Sequence, residues 1–276
     1  RATLTDAPRQ RRRASGSAAA ASTVAAFVPG SHSTRQWLSA VGMITLLWVL
    51  LFFPHLFLGR RVVFGDSSYY RPFAEFSRAR WHETRERTYW NPYVFMGIES
   101  VSSFADSRPQ YLPGPLIDLS ELLHEPALAP QLWPLLAHLV GALALMALAR
   151  RLWGVDPWSA SVAAVGWLFA VPILGPFSHG FDAQFVSDAM MPVVLLGTHA
   201  AITARGMRGA ILGALTLALA LGVQCLHGHP QILVYSAMLA TAFALQQAFE
   251  RRHFARLLVW AGGVTLGAVI GAAVWY

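Results

Sequence analysis

The sequence predicts an all-α polytopic membrane protein, a helical bundle of about seven transmembrane helices. Three observations carry this. Hydrophobic residues make up 55% of the 276-residue chain and charged residues only 13%, which leaves too little polar surface to clothe a water-soluble domain of this size. The mean hydropathy is +0.45. The apolar residues also fall in runs of about 20, the length a helix needs to cross a bilayer core.

The first 36 residues form no such run. They hold Arg11, Arg12, Arg13 and an Ala/Ser stretch, a composition that cannot bury a core, so 1–36 reads as a disordered basic tail. It is not a cleavable signal peptide, because the apolar segment after it begins late and runs long. Beyond it, residues 37–276 form the membrane module, with spans expected at 37–58, 132–149, 157–177, 189–204, 209–226, 232–249 and 257–276. The fourth is short for a full crossing and is the candidate for a tilted or broken helix. The seventh carries Gly263, Gly267 and Gly271 at four-residue spacing, a small-residue stripe that admits another helix closely. Its partner is expected beyond this chain, since Arg1 in place of methionine and an apolar run closing on Tyr276 mark a piece truncated at the C-terminus.

Orientation follows from the short loops. Arg150 and Arg151, then Arg205 and Arg208, then Arg251, Arg252 and Arg256 alternate with loops 178–188 and 227–231, which hold no arginine. The arginine loops and the N-terminal tail are therefore assigned to the cytoplasm, and loop 59–131 to the outside. All 21 basic residues are arginine, and the formal charge is +7. In a soluble protein this would suggest nucleic acid; arranged beside spans it fixes orientation, and no nucleic-acid partner is expected. Cys225 is the single cysteine, so an internal disulfide and a cysteine metal cluster are excluded.

Of the 14 acids, 11 fall on the assigned outer face and only Asp6, Asp156 and Glu250 inside. Acids contribute little to topology, so this asymmetry points to chemistry. Loop 59–131 opens with Arg60 and Arg61, two cations placed to hold a lipid phosphate, and continues Phe64-Gly65-Asp66-Ser67-Ser68-Tyr69-Tyr70-Arg71-Pro72. Asp66 has two open roles: a carboxylate taking a proton from an acceptor hydroxyl at the membrane surface, or, with Ser67 as the other choice, the N-cap of a helix with the apolar stripe Tyr69, Phe73 and Phe76. The stretch 67–88 is expected as helices lying on the membrane. Trp90, Asn91 and Tyr93 then form either an interfacial aromatic belt or a stacking wall for a lipid or sugar. Asp106 follows in a proline-rich stretch.

Two further outer segments complete the set. Loop 178–188 carries His179, Asp182, Gln184 and Asp188, most simply as solvated loop polarity. His227-Gly228-His229-Pro230-Gln231 joins the fifth and sixth spans; a tight turn uses glycine and proline but has no need of the other three side chains. Histidines two apart could hold a divalent metal, yet a zinc site takes three or four ligands and there is no HExxH or DxD. No cofactor is assigned, and no metal ligand.

Gly65-Asp66 with the aromatic-proline segment after it, Trp90-Asn91-Pro92-Tyr93 before Met96-Gly97, and Gly228-His229-Pro230-Gln231 opening a span together resemble the bacterial YfhO family of membrane proteins. The resemblance implies a GT-C-like module and a glycosyltransferase that takes a sugar from a polyprenyl-phosphate carrier and passes it to a cell-envelope glycan or polymer outside the cytoplasmic membrane. Asp66 would be its general base. Positioned general-base catalysis contributes roughly 10²- to 10⁴-fold, so orientation and stabilisation of the leaving phosphate must supply the rest. Arg60, Arg61, His227 and His229 are the candidates for the phosphate. Tyr69, Trp90, Asn91, Tyr93, Asp106, Asp182 and Gln231 are the candidates for substrate contact.

The competing function is a transporter or flippase for a lipid-linked or anionic substrate, whose vestibule would gather the same residues. An ion-coupled transporter places acids inside its spans, and these spans as drawn hold none away from their ends; His138 and His199 are the histidines well inside. No internal repeat is visible, which also disfavours it. A non-enzymatic scaffold would leave the outer polar residues without a purpose.

Overall fold

The computed structural model of the chain describes residues 34–60, 80, 83–84, 90–91, 98–99, 129–179, 182–226 and 229–272. Nine labelled helices occur among them: α1 Thr34–Leu51, α2 Phe53–Phe57, α3 Ala129–Trp153, α4 Pro157–Leu168, α5 Val171–Ser178, α6 Asp182–Thr203, α7 Met207–Leu226, α8 Pro230–Arg251 and α9 Arg256–Ala272. By length and composition six segments can cross a membrane, α4 and α5 counting as one, and α9 is a shorter apolar helix. The chain is a polytopic helical bundle. Each of the seven expected spans overlaps one or two of these helices; the seventh, expected at 257–276, is described as helix to Ala272 and, at 17 residues, is not one of the six.

The boundaries follow from local chemistry. Gly154 has a φ of 65° and closes α3, a left-handed geometry that costs glycine little. Two residues on, the Asp156 carboxylate accepts from the Trp158 and Ser159 amides with Pro157 at the first helical position, which satisfies amides that the first turn of α4 leaves open. Arg252, at φ 55°, ends α8, its N–H donating to the Ala248 and Phe249 carbonyls.

Three expectations are corrected. The third span is two helices: α4 stops at Leu168 and α5 restarts after Ala170. Pro172 has no N–H to offer the Leu168 carbonyl and its ring collides with a continuing turn, so the helix divides there. The fourth span, expected as the weak one, is a continuous 22-residue helix, α6, and the most buried of the candidate spans. The glycine stripe has its partner within the chain. Gly263, Gly267 and Gly271 face Ala214, Ala218, Leu221 and Cys225 of α7, and the two backbones approach because no side chain stands between them.

α6 is the centre of the bundle. It packs on α3, α7 and α8 and also meets α9, where Trp260 donates to the Thr198 hydroxyl; α1 packs on α4 at the edge. Gly141 of α3 meets the Ala189 carbonyl of α6, and Gly197 of α6 meets the backbone of Leu217 in α7. Close small-residue seams thus run through α3, α6, α7 and α9. Lipid tails are as apolar as leucine, so this packing rather than water exclusion drives association in a bilayer.

The basic tail and most of loop 59–131 lie outside the described residues. Arg80, Glu83 and Thr84 are helical, with the Thr84 hydroxyl donating to the Arg80 carbonyl at 2.8 Å, in keeping with helix in 67–88. Trp90–Asn91 pairs antiparallel with Ile98–Glu99, a two-residue bridge in an otherwise helical set of described residues.

Candidate functional site

One end of the bundle carries Trp37, Arg150, Arg151, Arg208, Arg251, Arg252 and Arg256; there the Arg150 guanidinium lies 4.3 Å over the Trp37 ring. At the opposite end, polar and aromatic side chains turn inward. Phe52 between α1 and α2 meets Phe177 of α5 edge-on at 5.4 Å and His138 of α3 at 5.5 Å. His138 stacks on Phe185 of α6 at 5.2 Å, and His55 of α2 packs on Phe177 at 5.2 Å. Trp48 of α1 donates to the Leu135 carbonyl at 2.9 Å. These contacts lock α1, α2, α3, α5 and α6 together. His138 is fully buried, and neither ring nitrogen makes a hydrogen bond of ordinary geometry. It serves as an aromatic plate in this cluster.

Next to the aromatics is a polar knot that the sequence reading missed. Gln224 of α7 is fully buried; its amide nitrogen donates to the Ser187 carbonyl of α6 at 2.7 Å and to the Ser236 hydroxyl of α8 at 2.8 Å. One side chain therefore joins three helices. Its signal in the sequence was a glutamine inside an apolar run, with a serine at a helical position of the following run.

Asp188 is misplaced by the sequence reading. Expected in a solvated loop, it lies in the second turn of α6 and is only 7% exposed. The helix begins at Asp182, and Phe185, Val186, Ala189 and Met190 around Asp188 are all buried. Apolar neighbours at helical spacing were the available signal. Gln184, one turn earlier, is the side chain that reaches the carboxylate. The fourth span as drawn begins at 189; the helix begins at Asp182, so Asp188 lies within α6, in its second turn near the helix's end.

His229 does have work in its turn, contrary to the sequence reading. It is the N-cap of α8, and its Nδ1 accepts from the Ile232 amide at 3.4 Å with Pro230 at the first helical position. An accepting nitrogen requires the neutral ring, and burial lowers the His229 pKa below its ordinary value. Gln231 points elsewhere: it is exposed and donates to the Tyr235 hydroxyl at 3.2 Å. Arg60 is exposed after α2, its carbonyl accepting from His55 Nδ1 at 2.9 Å. Asp182 is the first residue of α6, and Trp90 and Asn91 form the short strand already noted. Asp66, Arg61, Tyr69, Tyr93, Asp106 and His227 lie outside the described residues. The structure thus brings Arg60, Asp182 and His229 to the same end of the bundle, with Asp188 beneath, and turns Gln231 away. Among the described residues no group of three or more metal-ligating side chains gathers.

The fold and this end of it define a multi-pass α-helical membrane protein with a polar, aromatic-lined end opposite a basic one. No family model, curated protein or solved structure matches the chain.

Proposed function

We propose that this chain is the membrane module of a GT-C class glycosyltransferase of the YfhO type, placed in a bacterial cytoplasmic membrane with the basic end inward. It would transfer a sugar from a polyprenyl-phosphate carrier to a cell-envelope acceptor. The observation that carries the reading is convergence: Arg60 after α2, Asp182 and Asp188 at the start of α6, and His229 at the cap of α8 come from three places in the chain to the end opposite most of the arginines. Asp66 follows Arg60 by six residues in the sequence, a stretch that can span at most about 22 Å. Asp66 would take the acceptor proton, and Arg60 and Arg61 would face the leaving phosphate. His229 is neutral in its cap, so it would serve the phosphate as a hydrogen-bond donor through Nε2 rather than as a cation.

The test is sugar transfer from labelled polyprenyl-phosphate donor in membranes carrying the protein or its Asp66→Asn variant. The amide preserves size and capping, so transfer should fall by about 10²-fold or more with insertion unchanged. Turnover at the parental rate would remove Asp66 as the base. Reporter fusions at Arg151, Arg208 and Arg252 should all read cytoplasm.

A second reading, a coupled transporter or flippase, is favoured by Asp188 and by the divided span. A buried carboxylate inside a span and a broken helix are features of ion-coupled carriers. Uptake of a lipid-linked sugar into vesicles without its hydrolysis or transfer would favour this reading over the first.

A further inference from the structure

We draw no further inference here: the strongest candidate, the outward face of the divided span at the α4–α5 break, where Gly166, Phe169 and Val171 are exposed, is an unpartnered apolar face, and nothing in the structure shows what covers it.

Discussion

Gly267 lies so close to Leu221 that a Cβ at position 267 would stand 2.9 Å from the leucine Cβ. The same seam places a Cβ at Gly263 2.7 Å from the Ala214 carbonyl, whereas the neighbouring Gly262 has nothing within 4 Å. Gly263→Ala should therefore force α7 and α9 apart and cost about 1–3 kcal/mol, the range for overpacking. Gly262→Ala should be neutral or slightly stabilising, since alanine is the better helix former. Thermal unfolding in detergent compares the two, and equal melting temperatures would show that α9 does not seat on α7 through its glycines.

The Gln224 knot makes a graded prediction. Gln224→Leu removes both donated hydrogen bonds, to Ser187 and Ser236, and should cost about 1–2 kcal/mol; Ser236→Ala removes one and should cost about 0.6 kcal/mol, in line with interhelical bonds measured in membranes. The two losses should be non-additive in the double variant because the groups share a bond. Additive losses would mean that Gln224 and Ser236 act separately.

These two features lie beyond what was read from the sequence. The bundle was legible because a span announces itself by length and polarity; the cap at Asp156 was not read, although an acid stood before Pro157. The divided third span was not read although Pro172 was visible, because proline inside an apolar run is also tolerated in membrane helices. Asp188 was misplaced because the start of α6 was set seven residues late, at 189, and the acid fell on the loop side of that line. The seam partner of Gly263, Gly267 and Gly271 was missed because helix pairing is a property of three dimensions, and α7 offers alanines, a leucine and a cysteine rather than a matching glycine motif. Of the candidate site, the shared end followed from topology, but the capping role of His229 depended on its backbone geometry.

The His229 cap makes stability depend on pH. Burial holds the folded-state pKa below the ordinary histidine value of about 6.5, so on acidification the unfolded chain takes up the proton first. The stabilisation is complete above about pH 6.5 and is lost as pH falls from there toward the lowered folded value. His229→Asn keeps an acceptor at the cap but does not titrate. Melting temperatures taken at about pH 7.5 and 5.5, on either side of that ordinary value, should fall less on acidification in His229→Asn than in the parent. Equal slopes would show that the cap does not sense protons.

Asp188 decides between a structural and a functional carboxylate. A buried charge held for structure is paired, and removing its charge leaves the partner stranded at a cost of several kcal/mol. Asp188 has Gln184 as its neighbour, and no basic side chain among the described residues pairs with it. Asp188→Asn keeps the shape and one accepting oxygen while removing the burden of a desolvated carboxylate. The variant should therefore melt at or slightly above the parental temperature, and whichever activity the protein has, sugar transfer or lipid-linked uptake, should fall. Both measurements are made on the same membranes. A drop in stability of more than about 1 kcal/mol, the median worth of a routine substitution, would assign Asp188 to the scaffold. Parental stability with parental activity would leave its burial without a role in either reading.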